Sequence, residues 1–273
     1  KDVRGFLPEL MEKIYKDRTV YKKKMLQAKQ DYEKTPTKAL EKEIARCNNI
    51  QMARKIQLNS AYGAIGNQYF RYYKLANAEA ITLSGQVSIR WIENRMNGYL
   101  NKLLQTEEED YVIASDTDSI YLNMGPLVNK FFSGKSGDKT AIVSILDKIC
   151  QDKLEPFIEQ SYTKLADYVQ AYEQKMIMKR ENIAERGIWT AKKRYILNVW
   201  NSEGVQYTEP KLKMMGIEAV KSSTPAPCRQ MIKDGLKLMM NGTEDDVIKF
   251  IDNCRIEFKK LPPEEIAFPR SVS

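Results

Sequence analysis

An α+β fold follows from three observations in this 273-residue sequence. Long stretches with helical spacing fill the first hundred residues and recur near the end. The strand-like runs are short and come in two groups, at 111–123 and 195–214. They do not alternate with helices as βαβ units would. No internal repeat is visible.

The elements follow in order. A first helix is expected from about Leu7 to Gln30, with Leu10, Ile14, Tyr21 and Met25 spaced among charges. Thr35-Pro36-Thr37 is a turn ending on a good N-cap residue, and a second helix runs from about Lys38 to Tyr62. A turn this short makes the two helices an antiparallel pair. The third helix, about Ala76 to Leu104, carries Ile81, Val87, Trp91, Ile92, Met96 and Leu103 as its expected buried stripe. Tyr111–Ser115 and Ser119–Asn123 read as strands joined at Asp116-Thr117-Asp118. Ser133–Lys139 is a glycine- and serine-containing loop. Its Gly134-Lys135-Ser136 is not a P-loop, because Asn129 stands where the first glycine is needed. A helix from about Thr140 to Ala171 should be disturbed at Pro156. Tyr195–Trp200, a turn at 201–204, and Val205–Tyr207 continuing towards Met214 form the second strand group. Helices at about Pro227–Met240 and Glu244–Lys260 precede Pro262-Pro263.

Composition narrows the chemistry. At 42% hydrophobic and 29% charged residues, the chain is globular rather than disordered. Histidine is absent, which excludes His-based triads, His-ligated zinc and histidine pH switches. Phosphate and carboxylate chemistry with metal ions remains. Cys47, Cys150, Cys228 and Cys254 form no C-x-x-C pair, as in a reduced, cytoplasmic protein. No apolar run approaches the roughly 20 residues that span a bilayer, so no membrane role is expected. The sequon at Asn241-Gly242-Thr243 is set aside, since nothing signal-like opens the chain. A start at Lys1 rather than Met reads as processing or as a piece of something longer.

The net charge of +8 is uneven. Residues 1–60 carry 15 Lys and Arg against 8 Asp and Glu, and the remainder is nearly balanced. A basic opening segment suits a polyanion, although a solvated lysine-rich helix has the same composition.

Four constellations could carry chemistry. Asp116 and Asp118 are two residues apart, so in extended backbone both carboxylates face one side and could hold Mg²⁺. An ordinary hairpin turn uses the same residue types. Lys55, Asn59 and Tyr62 share one helical face, an arrangement able to meet the phosphate, sugar and base of a nucleotide. The plain reading is a solvated lysine, a capping amide and a core tyrosine. Arg18 and Lys22, at i and i+4 on the preceding helix, could join Lys55 across the helix pair as a clamp for a triphosphate, or form a solvated face. Lys192-Lys193-Arg194-Tyr195, ahead of an apolar strand, suits a nucleic-acid backbone; lysines protecting an edge strand look the same. Glu181 is a further acid for the metal site.

KIQLNSAYG (55–63), ASDTDSIY (114–121) and AKKRYILNVW (191–200), in that order, resemble the family B DNA polymerases, in particular the replicative enzymes of T-even-like bacteriophages. NQYFRYYKLANAEAITLSGQ (67–86) and PKLKMMGIEAVKSSTP (210–225) match as well, so the resemblance covers essentially the whole chain. It implies helical-hairpin fingers at 1–66, the carboxyl-side palm with a mostly antiparallel sheet at 67–223, and the helical start of a thumb at 224–273. It implies DNA-directed DNA synthesis by nucleotidyl transfer, with two Mg²⁺ ions, deoxynucleoside triphosphates and primer–template DNA, in the cytoplasm (the host's, if viral). Arg18, Lys22, Lys55, Asn59 and Tyr62 would meet the incoming nucleotide. Asp116 and Asp118 would be the catalytic aspartates, with Asp118 the stronger direct metal ligand and Glu181 a nearby acid. Lys192, Lys193, Arg194, Tyr195 and Lys221 would hold the DNA.

Two departures carry consequences. Ala114-Ser115 replaces the family's Tyr-Gly before the paired aspartates, and no D-x-x-S-L-Y-P-type motif with the other catalytic aspartate is present. Two metals need carboxylates from both halves of a palm. The chain is therefore expected to be incomplete alone: a fragment, or the carboxyl-side subunit of a split polymerase whose partner supplies the amino-side palm and the exonuclease. A non-catalytic DNA-binding module is the alternative.

Overall fold

Thr37 starts the second helix as expected: its hydroxyl accepts a hydrogen bond from the Leu40 N–H at 3.2 Å. This computed structural model describes residues 3–132, 138–268 and 270, so the Gly134-Lys135-Ser136 run lies outside the described residues. Helices α1 (Phe6–Lys34) and α2 (Lys38–Ile65) pack along their length as an antiparallel pair joined by the 35–37 turn. Met25 and Ala28 of α1 and Cys47 and Gln51 of α2 are their buried residues.

The chain divides into two compact units, Lys1–Glu181 with Ser202–Gln206, and Asn182–Asn201 with Tyr207–Ser273. In the first, α3 (Leu75–Leu104) is the central helix, touching α2, α6 and both strands of the hairpin. Ile92, Met96, Leu100 and Leu104 recur every four residues and are all buried, the first three completely. They pack within a core that includes Tyr111, Val112, Val143, Leu146, Ile158 and Leu165.

Strands β1 (Val112–Asp116) and β2 (Ser119–Leu122) pair antiparallel, with Asp116 opposite Ser119. An eight-residue helix, α4 (Gly125–Phe132), follows where no element was expected. Its start was readable: the Asn123 side chain accepts from the Gly125 N–H at 3.1 Å, and Pro126 stands in the first turn. The disturbance expected at Pro156 is a π-helical turn, Cys150–Leu154, between α5 (Lys139–Ile149) and α6 (Glu155–Tyr168). Pro156 follows in unbroken helical backbone, where its missing N–H removes one helical hydrogen bond that the π turn accommodates.

The second unit holds a three-stranded sheet in the order β3 (Asn182–Ala191), β4 (Arg194–Ser202), β5 (Val205–Met215). Two-residue turns join them, which makes both pairings antiparallel. The central strand is buried from Tyr195 through Val199. Pro210 stands in β5, an edge strand, where a missing donor is tolerated. A short 3₁₀ turn, Glu218–Val220, leads to α7 (Ala226–Asn241), α8 (Glu244–Phe258) and the single turn α9 (Pro263–Ile266). Ile196, Ile217, Ala219 and Met240 centre this core, with Ile188, Leu212, Ile232 and Leu236 packed on it. Thr243 and Asp246 form a capping box that starts α8.

Candidate functional site

Asparagines of α3 fix the aspartate hairpin. Asn97 Oδ1 accepts from the Tyr111 and Val112 N–H groups at 3.0 Å each, and its amide donates to Asp110 Oδ1 at 2.8 Å. Asn101 Oδ1 accepts from Thr106 Oγ1 and the Glu109 N–H. The loop entering β1 is thus tied to a helix whose other face is core, so β1 begins from a rigid base.

At the far end, the extended reading of 116–118 does not hold. Asp116 is the last residue of β1, and Thr117-Asp118 is the turn itself. Thr117 has φ +57°, a backbone region that a β-branched side chain rarely enters. The Asp118 N–H donates to the Asp116 carbonyl at 2.6 Å, folding the chain tightly about Thr117. Thr117 Oγ1 donates to Asp116 Oδ1 at 3.0 Å, which orients that carboxylate. Asp116 is half-buried and Asp118 exposed. Their hard oxygens suit a hard cation such as Mg²⁺, which takes one or two carboxylates and completes its shell with water or phosphate. Among the described residues no group of three carboxylate or cysteine side chains converges as a metal cage, so Glu181 is not gathered with the pair. Glu181 is exposed; its carbonyl accepts from the Glu203 N–H at 2.6 Å.

On the helix pair, Arg54 Nε donates to Asp17 Oδ2 at 2.5 Å. That bridge pins α1 to α2 one residue along the chain from both Arg18 and Lys55. Arg18 Nε is buried with no hydrogen-bond partner among the described residues, an orphan donor. Lys55, Asn59 and Tyr62 are all exposed along one face of α2; Tyr62, at 41% exposure, is not the core residue a plain reading would make it. Lys22 is occupied: its ammonium pairs with Glu203 in the β4–β5 turn.

The Lys192-Lys193 pair lies in the β3–β4 turn rather than at a lone strand start, and both side chains are exposed. Lys193 takes φ +62°. Arg194 donates to both oxygens of Glu218, at 2.7 and 2.5 Å, and Lys221 reaches Glu218 at 3.1 Å. The Glu218 carboxyl is held below the usual range by its own backbone N–H, then by Lys221 and Arg194. Tyr195 is buried, its ring 6.5 Å from that of Trp189, so it serves the core of the sheet and its ring offers no free face to a base. Sequence reasoning missed Asn97, Glu203 and Glu218. Only Glu203 carried a signal, as a bulky acid in a turn beside Gly204.

Comparison with known proteins settles the family. A model of DNA polymerase family B matches residues 1–267. The chain belongs to DNA polymerase family B. It is 38% identical to the DNA-directed DNA polymerase of Escherichia phage RB69 over 260 residues, 90% of this chain and 29% of that protein. It is 38% identical to the DNA-directed DNA polymerase of Enterobacteria phage T4 over 235 residues, covering 83% of the chain and 26% of the relative. DNA polymerase 1 of Pyrococcus abyssi is 24% identical over 270 residues, 97% of the chain and 28% of that polymerase. This family B chain thus spans less than a third of the length of these relatives. Among its described residues no helix is long and apolar enough to cross a membrane.

Proposed function

We propose that the chain is the fingers (1–66), the carboxyl-side palm (67–223) and the start of the thumb (224–273) of a DNA-directed DNA polymerase. It would add deoxynucleotides to a primer 3′-hydroxyl on a DNA template in the cytoplasm. The observation that carries this reading is the Asp116–Asp118 turn: two carboxylates at a strained hairpin tip on a base fixed by Asn97. Strain of that kind persists where the surroundings over-determine it, and it concentrates at active sites.

The chain's own residues then divide the work. Asp116 and Asp118 would hold Mg²⁺, with Asp118, the exposed one, nearer to solvent and substrate. Bound there, the divalent cation would supply charge neutralisation for the triphosphate and for the attacking hydroxyl. Arg18 and Lys55 would bind the triphosphate from adjacent helices, and the orphan Arg18 Nε would gain its missing acceptor. Asn59 and Tyr62, one and two turns along α2, would meet the sugar and the nascent base pair. Lys192 and Lys193 would carry the duplex backbone from their exposed turn, with Arg194 and Lys221 acting mainly through Glu218. Positioning and fixed charge of this sort need no histidine.

The same geometry supports an enzyme that is incomplete without further polypeptide. Two carboxylates are too few for a two-ion site. The amino-terminal half of α3 is bare: Leu75, Ile81, Leu83 and Val87 are each about half exposed, although all are apolar. Apolar residues exposed all round a helix mark a surface that another chain segment covers. The partner proposed here carries the amino-side palm and exonuclease. The test is primer extension with Mg²⁺ and four deoxynucleotides, using the chain alone and mixed with a matching amino-side half. Extension only on mixing, abolished by Asp118→Asn with DNA binding retained, is the expected result. Full-rate extension by the chain alone would overturn the two-part site. DNA binding without extension in either tube would favour a binding module.

A further inference from the structure

The β4–β5 turn breaks a local rule. Glu203 and Gly204 are its two central residues, with φ +51° and +92°. A turn with both angles positive favours Asn-Gly or Asp-Gly, because short polar side chains tolerate the left-handed region. Glutamate gains nothing there from its own backbone. Its carboxylate instead pairs with Lys22 on α1. The pair is partly shielded, with side-chain exposures of 34% for Lys22 and 23% for Glu203. Two further bonds hold the turn in place: the Glu203 N–H to the Glu181 carbonyl at 2.6 Å, and the Gln206 N–H to Gln30 Oε1 at 3.1 Å. Lys22 and Gln30 lie eight residues apart on α1, about 12 Å along one face. The turn therefore lies along that helix, with its acid aimed at Lys22.

We infer that Glu203 is a positioning residue that occupies Lys22 until a polyphosphate displaces it. The inference rests on the reading of Lys22 as a triphosphate ligand. One ammonium cannot serve a carboxylate and a phosphate equally, so binding exchanges one anion for the other. Glu203 holds the lysine extended towards the turn and offsets its repulsion with Arg18, one helical turn away. It also sets a threshold. An anion of low charge gains little by replacing a tethered carboxylate, whereas a triphosphate engages Lys22, Arg18 and Lys55 together.

The test uses the whole chain and inorganic tripolyphosphate, with affinity measured by calorimetry at low salt. Glu203→Asn is the informative variant: it removes the charge and supplies the residue the turn prefers, so folding is retained. Affinity should rise about fivefold, the scale of a partly exposed ion pair. Glu203→Gln should act in the same direction. Lys22→Ala should weaken binding, and in that background Glu203→Asn should change nothing. If Lys22→Ala weakens binding while Glu203→Asn leaves it equal or weaker, the positioning role fails and the ligand role of Lys22 stands. If Lys22→Ala has no effect, the reading of Lys22 itself fails. Tightening by Glu203→Asn that persists in the Lys22→Ala background would be plain loss of a negative charge and would overturn the positioning role.

Discussion

Gly216 follows β5 with φ +65°, and a Cβ built there would stand 2.4 Å from the Lys193 carbonyl oxygen and 3.1 Å from Arg194 Cγ. Both neighbours belong to the basic segment read as the DNA-backbone site. Gly216→Ala therefore meets two separate penalties. Holding an L-residue in the left-handed region costs about 1–2 kcal/mol. Forcing a methyl against backbone that cannot rotate away adds about 1–3 kcal/mol. A stiffer unfolded chain returns about 0.4–1 kcal/mol, so the net loss should be about 3 kcal/mol. Equilibrium urea unfolding followed by tryptophan fluorescence is a suitable assay, because Trp189 and Trp200 both lie in the second unit. With an m-value of about 1–3 kcal/mol/M, the midpoint should fall by at least about 1 M. Gly216→Asn separates the penalties: asparagine tolerates the left-handed backbone yet carries the same Cβ. It should lose about 2 kcal/mol. Stability within about 0.5 kcal/mol of the parent for Gly216→Asn would refute the close-approach argument and leave backbone conformation as the sole reason for glycine.

Replacing Lys192 and Lys193 together by alanine should weaken duplex binding and reduce the slope of log K against log salt by about 1.8, the equivalent of two phosphate contacts. Anisotropy titrations of labelled duplex across a salt series read this directly, and an unchanged slope removes the turn from the interface. Burial pushes the Cys150 thiol up to about 11, and burial followed by Glu43 raises that of fully buried Cys47. The thiolate is the nucleophile, so at pH 8 both should alkylate slowly in the folded chain and rapidly in urea. Mass-resolved labelling by iodoacetamide checks this; fast native labelling of Cys150 would contradict its burial.

Much of the fold was legible because local rules and tertiary context agreed. The Thr37 cap, the Ile92 and Met96 positions of α3 and the helix distortion at Pro156 each declare one structure, whereas Ile81, Val87 and Leu103, expected on the same buried stripe, are exposed. Strand β3 was not legible. As an edge strand it buries little, and Glu185, Arg186 and Gly187 interrupt its centre with exposed residues. A central strand such as β4, with its buried run from Tyr195 to Val199, announces itself through burial on both faces. The other edge strands were readable because apolar residues run through them, as in Val112–Ile113 and Leu212–Met215, and the centre of β3 has none. Missing β3 is also why Lys192 and Lys193 read as a strand start and not as a hairpin turn.

The candidate residues were readable as types and spacings, but their geometry was not, and the reason is specific. Among the described residues six non-glycine positions have positive φ, and three of them are Thr117, Lys193 and Glu203. Each sits in a two-residue hairpin turn, and each turn carries a charge of the candidate site: Asp118, the Lys192–Lys193 pair, and Glu203 itself. Selection for turn stability alone would put asparagine, aspartate or glycine at such positions. Threonine, lysine and glutamate there sacrifice local preference, and a rule broken at three turns of the candidate site is the signature expected of a site constraint. Reading forward from sequence, each residue looks like a mistaken choice of turn. Reading from the geometry, Thr117 orients the Asp116 carboxylate, Lys193 turns two ammonium groups to solvent, and Glu203 reaches α1. The same departure from local preference hid the turn geometry and marks these three turns as the ones to test by substitution.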